Sequence, residues 1–409
     1  MRLETRTGTL ADIDGNYAWL RLVVSMLFGT LGGVGMWAVV LVIPTVQAEF
    51  GVDRADASLP YTAAMLGFAV GNVIVGRAID RIGFWMPALG TALVLGTGFI
   101  LAASTTSILQ FSLAHGLLIG VGTASSFGPL IADLSHWFNR RRGLAVSCAA
   151  TGSYLAGVLW PAVIPGVMAA HGWRFAYVAI GVVCFLAMAP LTLLLRRQPP
   201  HAALADGQGG GPSRPLPLSP ASLQGLLVIS GLGCCVAMSM PQVHIVAYCL
   251  DLGYGIARGA DMLSIMMAAG IVSRIGSGFV ADRIGGVKTL LIGAVLQCLA
   301  LWLYIPFNGL ASLYVVSLVF GLSQGGIVPC YAVIVRETMP AKEAGQRVGI
   351  VIMATILGMA IGGWMSGWIY DLTGSYAAAF LNGIGWNFLT VSVAVFLLWS
   401  ARRASYAGP

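Results

Sequence analysis

The sequence predicts an all-α membrane protein of twelve transmembrane helices, arranged as two six-helix bundles that are parallel repeats of each other. Three observations predict it. The 409 residues are 58% hydrophobic and 9% charged, with a mean hydropathy of +0.86, whereas charged residues make up roughly a quarter of a soluble domain. Twelve apolar runs reach the length of about 20 residues needed to cross a bilayer core. The chain also repeats itself at a constant offset of 202 positions: Gly76, Asp80, Arg81, Ile82 and Gly83 recur as Gly278, Asp282, Arg283, Ile284 and Gly285, Gly143 as Gly345, and Gly172 as Gly374. One unslipped register through several membrane-length segments implies two similarly folded halves.

The elements follow in order. Residues 1–18 are polar, with Glu4, Asp12 and Asp14 before the first long apolar run, so they read as a cytoplasmic N-terminal segment and the first span as a signal anchor. The first bundle, 19–195, holds runs at about 19–46, 58–76, 84–103, 108–134, 142–166 and 173–195. Residues 196–220 contain six prolines and a Gly-Gly-Gly run. Neither a helix nor a packed core uses such a composition, so the stretch reads as a cytoplasmic linker. The second bundle, 221–400, holds runs at about 221–249, 260–281, 287–307, 309–335, 345–369 and 376–400, and residues 401–409 form a cytoplasmic tail. The other loops are short, so consecutive helices are antiparallel neighbours and no separate soluble domain fits.

The net charge of +7 is accounted for by topology rather than by nucleic-acid binding. Eighteen of the 22 Lys and Arg fall in the N-terminal segment, the even-numbered loops or the C-terminal tail, and only Arg54, Arg174 and Arg258 lie on the opposite side. By the positive-inside rule both termini are cytoplasmic, in a multi-pass protein of the plasma or inner membrane. The seven cysteines sit in or at the ends of apolar runs with no metal-ligand spacing, and read as packing residues. No phosphate-cradling loop and no nucleophile–base–acid constellation is recognisable, so neither ATP-driven transport nor an enzyme is expected, and no cofactor is called for. Many of the 54 glycines fall inside the runs, as at Gly29, Gly32, Gly33 and Gly35, where small residues let helices approach closely.

The turn Gly76-Arg77-Ala78-Ile79-Asp80-Arg81-Ile82-Gly83 and its copy at 278–285 resemble the loop signature of the major facilitator superfamily. The doubling extends the resemblance over the whole chain. It implies the major facilitator fold and a cytoplasmic gate at Gly76, Asp80, Arg81, Gly83, Gly278, Asp282, Arg283 and Gly285, where an Asp beside an Arg at a helix end can exchange partners. Within that superfamily Trp137-Phe138-Asn139-Arg140-Arg141-Arg142-Gly143 resembles the start of the fifth helix in the monocarboxylate and oxalate/formate transporters, which adds Arg140 and Arg141 to the gate. That branch also carries an Arg in the eighth helix, matched here by Arg274.

Arg274 is the one Lys or Arg clearly inside an apolar run. It lies eight residues before Asp282, hence about 12 Å from the loop on a helix and near mid-membrane. A charge there costs roughly 2.5–3.5 kcal/mol on insertion scales and is tolerated where it faces an internal cavity. A guanidinium binds a carboxylate bidentately and stays protonated, so an organic anion is the natural partner; an ion pair with a helix carboxylate is the structural alternative. His115 and His244 lie in helices that line the cavity in this superfamily and can take up a proton, or simply bond a neighbouring carbonyl. His244 and Tyr248 have the i, i+4 spacing of one helix face and, with Gln242, follow Pro241. Asn72, Tyr154, Gln324, Tyr331 and Trp364 complete the polar and aromatic candidates. The chain departs from its resembled branch in having Gly270 where proton-coupled carriers place an Asp, no Lys in the first run, and no second cation in the eleventh.

The expectation is a secondary transporter of a small monocarboxylate such as lactate or pyruvate, acting as a monomer by alternating access, with His244 the candidate for proton coupling. Organic-anion exchange, export of lipophilic compounds, and a non-transporting anion sensor stand as alternatives.

Overall fold

The computed structural model describes residues 12–198, 216–340 and 343–406. Arg2, Arg6, Arg214, Lys342, the middle of the expected linker and the end of the tail lie outside the described residues. Twelve helices are long and apolar enough to cross a membrane: α1 (Asn16–Phe50), α2 (Arg54–Ile82), α3 (Trp85–Ala103), α4 (Ile108–Leu134), α5 (Arg142–His171), α6 (Trp173–Leu194), α7 (Pro220–Asp251), α8 (Ile256–Ile284), α9 (Gly286–Leu303), α10 (Leu310–Thr338), α11 (Ala344–Thr373) and α12 (Tyr376–Tyr406). Each of the twelve expected runs is met by one helix. Helices α1, α2, α5, α7, α8, α10, α11 and α12 reach past their runs, because polar residues at a helix end still satisfy their backbone within the helix while the side chain leaves the hydrocarbon, whereas α3, α4 and α6 match theirs closely and α9 stops at Leu303, short of the expected 307.

The 202-residue repeat is reproduced in geometry. Helix α8 begins and ends 202 positions after α2, and α11 does so after α5. Left-handed glycines recur at the same distance: Gly51 (φ 63°) with Gly253 (φ 82°), Gly83 (φ 80°) with Gly285 (φ 91°), and Gly172 (φ 84°) with Gly374 (φ 65°). At Gly83 and Gly285 this explains the last position of the doubled turn, since a side chain is strained at positive φ.

The chain forms two compact units. The first contains residues up to 52 together with 59–206; the second contains 53–58 and the residues from 207 onward. In the first, α1 packs on α5 and α3 on α4 and α6; in the second, α7 packs on α11 and α12, α8 on α10, and α9 on α10 and α12. The second unit also takes in the first turn of α2, with Arg54 at its start. A small apolar cluster of Ala18, Leu22, Leu134, Trp137, Phe138, Ala145 and Ala149 closes one end of the first unit.

Among the described residues four spans depart from regular α-helix in mid-course: α1 has one non-helical residue at Gly33 and α6 a π-helical stretch at Cys184–Met188, while α4 and α10 change course more deeply. Helix α4 passes through a π-helical stretch, His115–Gly120, and a 3₁₀ turn, Ala124–Ser126, before restarting at Gly128 beyond Phe127 (φ −133°, ψ −93°). Helix α10 breaks at Gly325 and Gly326. These breaks fall at nearly the same point of the repeat. Irregular backbone at membrane depth is tolerated only inside protein or beside a cavity, and broken helices are where transporters place their ligands.

Candidate substrate site

In the second unit, α8 and α10 cross closely enough that side chains are excluded at the contact. A Cβ on Gly321 would fall inside contact distance of the Met266 carbonyl, one on Gly325 would strike Gly270, and one on Gly326 would strike Ser277. Arg274 lies one turn beyond Gly270 on α8. It is partly buried, and its Nε donates to the Gly325 carbonyl, in the break of α10, at 3.4 Å. The break therefore gives the guanidinium an acceptor that a regular helix keeps for itself.

Helix α7 supplies two polar faces beside this crossing. Gln242, 4% exposed, donates from Nε2 to Oε1 of the fully buried Gln324, the last residue before the break in α10. Further along the same contact Tyr331 hydroxyl meets Ser230 Oγ at 2.9 Å and Cys234 Sγ at 3.3 Å. On another face of α7, His244 and Tyr248 both contact Tyr376 of α12, with ring centroids 5.7 and 5.2 Å away, as their i, i+4 spacing requires. His244 is fully buried, and Nε2 lies 2.7 Å from the Gly363 carbonyl of α11. A carbonyl only accepts, so Nε2 carries the hydrogen and Nδ1 faces the Tyr376 hydroxyl at 3.4 Å. Trp364 stacks on Trp368 at 6.2 Å and is 37% exposed.

The remaining candidates lie in the first unit. His115, at the start of the π-helical stretch, is fully buried, with Nδ1 2.8 Å from the Phe111 carbonyl and Nε2 3.2 Å from the Tyr177 hydroxyl. Asn72 donates to its own helix at Phe68 (2.7 Å) and abuts Gly128 where α4 restarts. Tyr154 is partly buried on α5. In the doubled turn Asp80, Arg81, Asp282 and Arg283 are exposed. Before α5, the backbone N–H groups of Asn139 and Arg140 donate to Asp14 Oδ2 at 3.2 and 3.0 Å, and Arg141 lies over the Trp19 ring at 5.8 Å. Asp14, Trp19, Arg140 and Arg141 line a shallow hollow of about 230 Å³.

Arg274 is not the only intrahelical cation, which corrects the reading of the apolar runs. Arg21, 1% exposed in α1, pairs with Asp133 at the end of α4: Nη2 and Nε approach Oδ2 at 2.6 and 2.9 Å, and Nη1 reaches the Leu195 carbonyl at 3.0 Å. Arg54, 6% exposed, bonds the Tyr376 hydroxyl at 2.5 Å and Asp251 at 3.1 Å, and stacks over Tyr370 at 4.7 Å. Asp371 caps the same helix start, accepting from the backbone N–H groups of Arg54 and Ala55 at 2.9 and 2.7 Å. Both arginines stand at the edge of an apolar run, where an alignment with water is as natural a reading as burial. The repeat held the available signal for Arg54. Glu49 recurs as Asp251, but its cationic partner Arg174 recurs as Tyr376, which leaves Asp251 to find a cation elsewhere.

Comparison with known proteins places this arrangement in a family. The family model described as Major Facilitator Superfamily matches residues 25–310 and 251–408. Monocarboxylate transporter 13 of Bos taurus is 27% identical over 383 residues, covering 90% of this chain and 86% of its own. Monocarboxylate transporter 11 of Homo sapiens is 28% identical over 391 residues, covering 90% and 80%. The MFS-type transporter pytF of Aspergillus terreus is 30% identical over 289 residues, covering 66% and 92%. The resemblance to the monocarboxylate branch drawn from the residues is thus met in its relatives. A bacterial homolog of the human lysosomal transporter Spinster, solved inward-facing and occupied, shares the fold at a TM-score of 0.73 and 14% identity, covering 97% of this chain and 98% of its own. The nucleoside transporter NupG, solved as a mutant, does so at 0.71 and 14%, covering 94% and 100%. With its family model matched from residue 25 to 408, the chain belongs to the Major Facilitator Superfamily and is a multi-pass membrane transporter, not an enzyme.

Proposed function

We propose that the chain is a secondary transporter of a small monocarboxylate of the lactate or pyruvate kind, working by alternating access in the plasma or inner membrane with both termini cytoplasmic. The observation that carries the reading is Arg274: a permanent cation, half-buried where α8 crosses the break of α10. A guanidinium in that setting holds a carboxylate by paired hydrogen bonds. A single such cation in this crossing matches a monoanion by charge, and the relatives named monocarboxylate transporters support the same class.

Proton coupling is assigned to His244, whose Nε2 is committed to the Gly363 carbonyl and whose Nδ1 faces the Tyr376 hydroxyl. The test is uptake of labelled lactate into proteoliposomes with and without an inward-directed proton gradient. Arg274→Ala is expected to abolish uptake while the protein still accumulates in the membrane; retained uptake in that variant would sink the reading. His244→Gln is expected to keep exchange against internal lactate and to lose stimulation by the gradient. Equal stimulation in the variant removes His244 from the coupling, and wild-type uptake driven by internal anion but indifferent to the gradient makes the protein an exchanger.

A further inference from the structure

The amide pair beside Arg274 has a donor with nothing to donate to. Gln242 and Gln324 are sealed between α7 and α10, 4% and 0% exposed. Gln242 Nε2 donates to Gln324 Oε1, and Gln324 Nε2 is left buried without a hydrogen-bond partner among the described residues. Reversing the Gln324 amide alone would set two NH₂ groups face to face, and reversing both amides would leave Gln324 Oε1 as the buried orphan in place of Nε2, so one polar atom of the pair is unsatisfied in every arrangement. Leaving such a group unsatisfied costs about 1–3 kcal/mol, and a group of this kind in a folded protein calls for a ligand, a water or a function.

Its position indicates which. Gln324 is the last residue before the break in α10, and the next residue, Gly325, offers the carbonyl that Arg274 Nε holds. The orphaned donor and the acceptor of the guanidinium thus belong to consecutive residues of α10. Gln242 fixes the donor: with its own Nε2 committed to Gln324 Oε1, it turns the free NH₂ of Gln324 away from itself. An anion held by its carboxylate on Arg274 would need an oxygen on the neighbouring carbon to give that NH₂ an acceptor. A 2-oxo or 2-hydroxy acid has such an oxygen and an unsubstituted acid of the same length does not.

We infer that the Gln242–Gln324 pair is the specificity-determining element of the site, with Gln324 Nε2 donating to the 2-oxygen of a 2-oxo or 2-hydroxy monocarboxylate and Gln242 holding that amide in place. The inference rests on the monocarboxylate reading above. It separates two functions in one crossing: Arg274 selects for charge, and the glutamine pair selects among anions of equal charge. A site built to hydrogen-bond an oxygen disfavours the analogue lacking it far more strongly than a pocket distinguishes one methylene.

The experiment is exchange of labelled pyruvate and, separately, labelled propionate in proteoliposomes, for wild type, Gln324→Met and Gln242→Met. Wild type is expected to favour pyruvate by about tenfold or more. Each variant is expected to narrow that preference by roughly five- to tenfold, because pyruvate loses more than propionate does. Met keeps the length of the side chain and removes the donor. Wild type that moves both anions alike, or variants that slow both by the same factor, as loss of a trapped water or of packing would do, overturns the inference and leaves carboxylate transport standing. Wild type that moves neither anion overturns the monocarboxylate reading and the inference with it. Should Gln324→Met fail to accumulate in the membrane, the wild-type ratio and Gln242→Met decide in the same terms.

Discussion

Arg21 and Asp133 form a buried ion pair in the first unit, and the positions 202 residues later hold Leu223 and Val335, 1% and 0% exposed. The two halves thus fill one place in the fold in two ways. Continuum and mutational arguments agree that a buried pair adds little over well-packed apolar residues, whereas removing one partner strands a charge at about 3–5 kcal/mol. Asp133→Val alone is therefore expected to lower stability by about that amount, and Arg21→Leu with Asp133→Val to recover most of it, because the double variant copies the other half. Thermal unfolding of the detergent-solubilised protein measures both; a double variant as unstable as the single one refutes the equivalence. Arg274 was legible in the sequence because a charge in the middle of an apolar run has few readings. Arg21 and Arg54 were not, because each sits at the margin of a run and its burial is decided by partners 112 and 197 residues away.

At the scale of the helix, the proposed site depends on the α8–α10 crossing, and glycine spacing in the sequence indicated close packing without saying which glycines touch. The structure separates them. A Cβ at Gly325 would strike the backbone of Gly270, while a Cβ at Gly276, also on α8, has open space within 4 Å. Gly325→Ala is expected to push the helices apart and to impair both stability, by about 1–3 kcal/mol as overpacking does, and lactate uptake, since the Gly325 carbonyl positions Arg274. Gly276→Ala relieves a helix-interior glycine and is expected to be neutral or stabilising by about 0.5–1 kcal/mol. Melting temperature and uptake of the two variants side by side check this, and equal effects would mean that the crossing is not tight. The twelve helices themselves were legible because a span announces itself by length and hydropathy. The breaks in α4 and α10 were not, since both arise where one backbone meets another and Gly-Gly inside an apolar run is equally consistent with an unbroken helix.

Across the whole molecule, the repeat made the fold legible from a handful of turn residues, and its departures locate what each half does differently. Glu49 and Asp251 occupy equivalent positions at the ends of α1 and α7. In the first unit Glu49 is served by Trp173 Nε1 at 2.6 Å and by Arg174, a cation with 41% of its side chain exposed. In the second, Tyr376 replaces that arginine, and Asp251 is served by Arg54, whose side chain is 7% exposed and is held by Tyr376 and Tyr370 as well. Arg174 also donates to the Thr105 carbonyl at 2.9 Å and lies over the Trp173 ring at 4.4 Å, but half-exposed contacts of this kind are screened by water and contribute on the order of 1 kcal/mol. A buried guanidinium with a carboxylate, a hydroxyl and an aromatic face contributes through several desolvated contacts, so its truncation is expected to cost at least about 2 kcal/mol. Arg54→Ala should therefore lower the melting temperature distinctly and Arg174→Ala hardly at all. Because Asp371 binds the backbone at residues 54 and 55 rather than the side chain, Arg54→Ala keeps that cap, and the loss it shows reports on the side chain and the partners it leaves behind. Equal losses in the two variants would mean that the arginines are interchangeable surface charges and that the second unit gains nothing from the first turn of α2.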